Sequence, residues 1–197
     1  MKRPSLPADR PPPGPPLLGA TVPDGPVLLD TNVFINALTG RGPPVLRQML
    51  QTLPRFFVSA PTRAELAWIG GRLDPAHPDT ARVLAAAQGA QARIDPAKVL
   101  VPDDADWRSA GEHAGRAARE MAGGGRRIAT AFDRVELIQD TLTAIVAARA
   151  GCVVVTEDRD FATLLRFVPR LRVLFYDRPG GSRYIGVIAS KAKQSPS

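Results

Sequence analysis

Short apolar runs alternate with longer stretches of helical spacing along this chain. Runs at 27–29, 56–58 and 153–155 end at polar or turn-forming residues, which is typical of buried parallel strands, and the run at 173–176 predicts a closing strand. Because helical stretches separate these runs, the sequence predicts an α/β fold with a small parallel sheet covered by helices on both faces.

The stretches between the runs show the apolar spacing of helices. Helices are predicted over 45–53, 61–69, 80–92, 105–121 and 137–150, with a short helix at 161–167. Pro61 and Thr62 open the second of these, and residues 123–127 predict a flexible Gly-Arg loop.

The two ends of the chain differ from its middle. The segment 4–26 is dense in proline and predicts extended, unpacked backbone, whereas periodicity is lost from Gly180 onward. The sequence therefore predicts a Pro-rich flexible extension at 1–26, one folded domain at 27–177 and a basic flexible tail at 178–197.

Composition limits the class of protein. The chain has 197 residues, of which 44% are hydrophobic, and its formal charge of +7 points toward an anionic partner. Residues 1–26 carry +1 and 177–197 carry +3 of that charge, so the +3 on 27–176 is compatible with nucleic acid without requiring it. With the single cysteine Cys152, no intrachain disulfide or paired-cysteine metal site can form. Prolines stand where a signal peptide needs apolar residues and no run is long enough to span a membrane, so the cytoplasm is the expected location.

Acidic residues fall where the predicted strands end. Asp30 follows the first strand directly, and Asp158 and Asp160 follow the run at 153–155. Glu65 is expected in the first turns of the helix after the second strand, and Asp140 at the start of the helix that leads into the third. Because the carboxyl ends of parallel strands share one edge of a sheet, we expect these acids to meet in one cleft.

Each acid also has a local explanation. Asp30 could cap a turn, Glu65 has the spacing of a capping box with Thr62, Asp140 could be a helix N-cap, and Asp158 could cap the next helix. If all four acids had only these local roles, four independent roles would happen to fall at the one edge of the sheet where a cleft is predicted. The joint arrangement therefore favours a shared site.

Clustered carboxylates repel each other unless a cation lies between them. Oxygen ligands suit Mg²⁺ or Mn²⁺, which also bind phosphate oxygens, so the acids indicate phosphodiester chemistry with one metal ion or two. The two histidines, His77 and His113, lie far along the chain from the acids, which disfavours a histidine base or a zinc site.

Four segments in this order resemble the PIN domain, and more narrowly the VapC toxins of bacterial type II toxin–antitoxin pairs. They are Asp30-Thr31-Asn32, Thr62-Arg63-Ala64-Glu65-Leu66, Asp140-Thr141-Leu142 and Val155-Thr156-Glu157-Asp158-Arg159-Asp160-Phe161. The resemblance covers roughly residues 27–176. It implies a three-layer α/β/α fold, a homodimer, Mg²⁺- or Mn²⁺-dependent endoribonuclease activity on RNA, and a small cognate antitoxin protein as partner.

The resemblance also implies roles for individual residues. Asp30, Glu65 and Asp140 match the three metal-ligating acids, and Asp158 matches the fourth, with Asp160 as its alternative or supporting neighbour. Two polar residues match positions that line the site, namely Asn32 and Thr156. From the residue types, basic side chains near the acids are candidates for RNA phosphate contacts: Arg63, Arg126, Arg127 and Arg159.

Two other functions share features of this sequence. A phosphatase of the haloacid-dehalogenase kind also begins with a strand and an aspartate, but it needs a second aspartate as general acid where this chain has Asn32. A PIN-like module that binds RNA or protein without cutting remains the alternative, and cleavage of RNA by the purified protein separates it from a nuclease.

Overall fold

A computed structural model describes residues 25–39, 42–44, 46, 56–92, 94–125, 128, 130–176 and 186–189. Several predictions made from the sequence lie outside these residues. They are the extension at 1–26 except its last two residues, nearly all of the helix at 45–53, the pair Arg126 and Arg127, and the tail at 178–197 except 186–189.

The described strands form one sheet. They are β1 (Val27–Leu29), β2 (Phe56–Ser59), β3 (Val99–Leu100), β4 (Val153–Thr156), β5 (Arg172–Phe175) and β6 (Gly186–Ala189). Their order is β3-β2-β1-β4-β5-β6, with β1 to β5 parallel and β6 antiparallel to β5. The strand that ends at Asp30 is therefore at the centre of the sheet, between β2 and β4.

Helices connect these strands. They are α1 (Thr31–Thr39), α2 (Ala60–Arg72), α3 (Thr80–Ala92), α4 (Asp104–Gly123), α5 (Ala131–Arg149) and the short α6 (Asp160–Leu164), with a 3₁₀ turn at Pro96–Lys98. Ser59 caps α2 by accepting a hydrogen bond from the Thr62 N–H. Its cap fixes where the chain leaves β2 and turns into α2.

The strands bury both of their faces, as the prediction of a covered parallel sheet requires. On one face Leu28 and Val154 pack against residues of α4, α5 and α6. On the other face Leu29 and Val155 pack against Val33 of α1. The architecture is a three-layer α/β/α fold, as expected from the resemblance.

Sequence periodicity identified the central strands but missed two others. The strands predicted at 27–29, 56–58, 153–155 and 173–176 are confirmed to within a residue at each end. The two-residue strand β3 was not predicted. Nor was β6, which lies in the segment 178–197 that we expected to be a flexible tail and which pairs with β5.

The helix predicted at 137–150 begins six residues earlier than expected, at Ala131. Thr130 Oγ1 accepts a hydrogen bond from the Asp133 N–H, and Asp133 Oδ2 accepts one from the Thr130 N–H, which together form a capping box. Asp140 therefore lies near the middle of a 19-residue helix, and its predicted position at a helix start is wrong.

None of the helices in the described residues is long and apolar enough to cross a membrane.

Candidate metal centre

Asp30 stands at the carboxyl end of the central strand and is only 6% exposed. Its Oδ1 accepts a hydrogen bond of 2.8 Å from the Thr31 N–H, and its Oδ2 accepts one of 2.6 Å from the Thr156 hydroxyl. Both oxygens are thus held in place by neighbours that start α1 and end β4.

Thr156 links Asp30 to the acids that follow β4. Besides donating to Asp30, its hydroxyl oxygen accepts a 2.9 Å hydrogen bond from the Asp158 N–H, and Asp158 Oδ1 accepts a 2.8 Å hydrogen bond from the Asp160 N–H. The polar position Thr156 is fully buried. This chain of hydrogen bonds fixes the path of the backbone from β4 into α6.

Glu65 reaches the same end of the sheet from the second turn of α2. Its Oε2 accepts a hydrogen bond from the Thr31 hydroxyl, which belongs to the residue directly after Asp30. The N-cap of α2 is Ser59, so Glu65 is not part of a capping box with Thr62. The capping-box explanation for Glu65 is therefore wrong. Its carboxylate instead contacts Thr31, which is distant in sequence.

Three of the carboxylates form a compact group. Asp140, Asp158 and Asp160 each offer an oxygen, and these oxygens are all within 4.8 Å of one another. Asp140 comes from the middle of α5, whereas the other two come from the turn after β4 and the first residue of α6. Two separate elements therefore bring their acids to one point.

Burial and mutual repulsion raise the pKa values of Asp30, Glu65 and Asp140. Burial raises the pKa of Asp30 to about 7, against the hydrogen bonds from Thr156 and Thr31, and the charges of Glu65 and Asp158 raise it further. Burial is also the largest cause that raises the pKa of Glu65.

The pKa of Asp140 is raised by the same two causes, burial and the charges of neighbouring acids. Burial raises its pKa well above the ordinary value, followed by the charges of Asp30, Asp158, Glu65 and Asp160. All five acids named from the sequence thus interact electrostatically in one region, as the chain-order argument predicted. Such a region is unfavourable for five negative charges without a cation.

Two further residues belong to this region and were not named as site residues. Thr31 holds Glu65, as described above. Glu136 lies one turn before Asp140 on α5, and burial and then the charges of Asp158 and Glu65 raise its pKa. Its spacing of four residues from Asp140 was the available signal, but the predicted helix began at 137 and left Glu136 outside it.

The donor set fits a hard divalent cation. The group that the described residues form consists of carboxylates alone, and such oxygen donors suit Mg²⁺ or Mn²⁺ rather than a metal that prefers nitrogen or sulfur. A cation would also offset the repulsion that raises the pKa values of Asp30 and Asp140. The residues present are therefore consistent with a divalent metal ion.

The remaining candidates lie at the margin of this group or outside the described residues. Asn32 is partly buried in the first turn of α1. Arg63 is exposed on α2, and Arg159 is exposed with its guanidinium 5.2 Å from the centre of the Phe175 ring. Arg126 is not described.

Comparison with protein families gives a match over most of the chain. The family model of the PIN domain matches residues 27–164, a range that contains all the acids described above. No curated protein matches the chain significantly.

Comparison with solved structures finds similar chains. VapBC2 from Rickettsia felis, bound to a DNA fragment from its promoter, matches with a TM-score of 0.51 and 16% identity over 78% of this chain and 100% of that chain. VapBC-5 from Mycobacterium tuberculosis belongs to the VapBC family of toxin–antitoxin systems. It matches with a TM-score of 0.41 and 28% identity, over 71% of this chain and 90% of that chain. DNA-bound VapBC from Salmonella typhimurium matches with a TM-score of 0.47 and 25% identity, over 75% of this chain and 95% of that chain. The match to the Rickettsia structure is a likeness of fold.

Proposed function

Because the chain belongs to the PIN domain family, we propose that it is a divalent-metal-dependent endoribonuclease and the toxin of a type II toxin–antitoxin pair. One observation carries the nuclease proposal: oxygens of Asp140, Asp158 and Asp160 lie within 4.8 Å of one another, beside the buried Asp30. Few arrangements of acids other than a cation site keep so many carboxylates together.

We assign the metal ion to Asp30, Glu65, Asp140 and Asp158, with Asp160 as a supporting or alternative ligand. Mg²⁺ or Mn²⁺ bound there would act as a Lewis acid toward the phosphodiester and would offset its negative charge. One bound ion or two could supply this chemistry.

The side chains of this protein have their own tasks in that mechanism. The Thr156 hydroxyl keeps the Asp30 carboxylate oriented, and the Thr31 hydroxyl does the same for Glu65. Held in this way, the Glu65 carboxylate would complete the metal's ligand shell directly or through a bound water. Asn32 lies beside Thr31 at the start of α1, where an amide can orient water or substrate.

RNA would approach along the basic side chains near the acids. Arg63 and Arg159 are both exposed, on α2 and beside Asp158 respectively, and Arg126 and Arg127 complete the proposed set of phosphate contacts. We assign catalysis to the domain at 27–177, which would act in the cytoplasm as a homodimer until a small antitoxin protein binds it. The toxin role rests on the resemblance of the four segments to VapC.

The nuclease proposal is tested by cleavage of labelled RNA with Mg²⁺ or Mn²⁺, with and without a chelator. We expect Asp30→Asn and Asp140→Asn each to lower the cleavage rate at least 100-fold, in line with the loss of an essential electrostatic contribution to catalysis. Asp104→Asn is the matched control, because Asp104 is an exposed acid on α4 that pairs with Arg108.

Cleavage by both site variants at the parental rate would overturn the metal assignment. Binding of RNA by the parental protein without any metal-dependent cleavage would favour the alternative, a PIN module that binds RNA or protein without cutting.

A further inference from the structure

Three buried hydroxyl groups join the helix that carries Glu65 to the helix that carries Asp140. The Ser59 Oγ lies 2.8 Å from the Thr143 Oγ1 and 3.0 Å from the Thr62 Oγ1. All three residues are buried, with exposures of 0% for Ser59, 1% for Thr62 and 3% for Thr143. We call Ser59, Thr62 and Thr143 the hydroxyl bridge.

The hydrogen bonds of Ser59 are complete. A serine hydroxyl has one hydrogen to donate and two lone pairs to accept with. The Ser59 Oγ accepts from the Thr62 N–H at 3.0 Å and donates to the Thr62 Oγ1, so the Thr143 hydroxyl must be the donor in its contact with Ser59. This buried group therefore bonds α2 on one side and α5 on the other.

The bridge lies one helical turn from an acid on each helix. Thr62 stands three residues before Glu65 on α2, and Thr143 stands three residues after Asp140 on α5. Residues three apart lie on the same side of a helix. A shift of either helix at the bridge would therefore move its acid by a similar amount.

The two helices that the bridge joins carry acids of like charge. Glu65 on α2 and Asp140 on α5 are both assigned to the metal ion, and like charges brought together repel each other when no cation lies between them. Neutral hydroxyls can connect the two helices without adding charge to the site, and a buried hydrogen bond that is left unmade is unfavourable. The bridge resists the separation that the acids favour.

We propose that Ser59, Thr62 and Thr143 are positioning residues of the metal centre, which hold Glu65 and Asp140 at the separation that one divalent cation requires. This inference rests on the proposed metal-dependent function and deepens it. The bridge touches neither metal nor substrate and acts through the two helices.

The test measures Mn²⁺ affinity by titration calorimetry on the full chain, without RNA. Thr143→Val removes the bridging hydroxyl and nearly preserves side-chain volume, and we expect it to weaken Mn²⁺ binding about tenfold, as loss of a group that orients metal ligands does. Thr143→Ser keeps the hydroxyl and should restore the affinity to within about twofold of the parent.

The control is Thr141→Val on the same helix. Thr141 is as buried as Thr143, but its hydroxyl donates to the Leu137 carbonyl, a hydrogen bond that stays within α5. This variant should bind Mn²⁺ as the parent does. Thermal unfolding in a chelator reports the stability of each protein separately from its affinity.

The outcomes separate this inference from the proposed function. Parental Mn²⁺ affinity in Thr143→Val, with or without a lower unfolding temperature, overturns the bridge and leaves the nuclease proposal standing. Absence of Mn²⁺ binding in the parental protein overturns both. Should Thr143→Val fail to fold, Thr143→Ala, which leaves space instead of a methyl group beside Ser59, carries the same expectation.

Discussion

Asp30 combines near-complete burial with a pKa raised to about 7, compared with 3.8 for an ordinary aspartate. In the folded, metal-free protein this carboxyl keeps its proton across a range in which the unfolded chain has already released it. Stability therefore falls as the pH rises from about 4 to about 7, and the loss remains at higher pH. A cation competes with that proton, so metal binding should strengthen over the same range.

We predict that Asp30→Asn stabilises the metal-free protein at pH 8 more than at pH 5. Each unit of raised pKa is worth about 1.4 kcal/mol, so the advantage of the variant should grow by at least that amount between the two pH values. Urea unfolding in a chelator measures it. Since both proteins contain His113, whose lowered pKa acts in the opposite direction, only the difference between them is used. If the stability difference between Asp30→Asn and the parent were the same at both pH values, the pKa of Asp30 would not be raised by burial.

The residues of the site differ in how far the sequence could predict them. Asp30 and Asp158 follow apolar runs, and the ends of parallel strands meet by geometry, so their convergence could be deduced. The hydrogen bond from Thr31 to Glu65 depends on the distance between α1 and α2, which no local pattern contains. Thr143 has an ordinary helical environment in the sequence, and only packing reveals that it contacts Ser59.

At the scale of elements, α5 shows why boundaries are harder to predict than helices themselves. Apolar spacing becomes clear only from Leu137, the first buried residue of the helix, whereas its first turn is held by Thr130 and Asp133 at the surface. The first turns expose Phe132 and Val135, so they carry no amphipathic signal. A capping box was present in the sequence and marks the true start.

We predict that Thr130→Ala lowers the free energy of unfolding by about 1 kcal/mol, the usual cost of losing an N-cap. Thr130→Ser should retain most of that stability because it keeps the hydroxyl. Neither substitution should change Mn²⁺ affinity, since Asp140 lies more than two turns away along α5. Unchanged stability of Thr130→Ala in urea unfolding would show that the cap contributes nothing.

For the whole molecule, the unpredicted strand β6 covers one edge of the sheet. Its residues 186–189 pair with Arg172–Phe175 of β5 along that edge. Short strands near the end of a chain have weak periodicity, which explains why this segment resembled a tail. Unpaired strand edges invite association with other chains.

We predict that deletion of residues 178–197 lowers the unfolding temperature by several degrees and promotes self-association, because β5 loses its antiparallel neighbour. Deletion of 191–197 alone is the control and should do neither. Light scattering and thermal unfolding measure the two effects. Equal behaviour of the two truncated proteins would mean that β6 contributes nothing to the sheet.

The position of β1 between β2 and β4 has a consequence for synthesis of the protein. Asp30 is made early, but the hydroxyl that orients it belongs to Thr156, the last residue of β4, more than 120 residues later, and Asp158 and Asp160 follow that strand. A ribosome that has reached residue 150 has therefore translated Asp30, Glu65 and Asp140 without yet producing a complete metal site. By this order of strands, the proposed nuclease would stay inactive during most of its own translation.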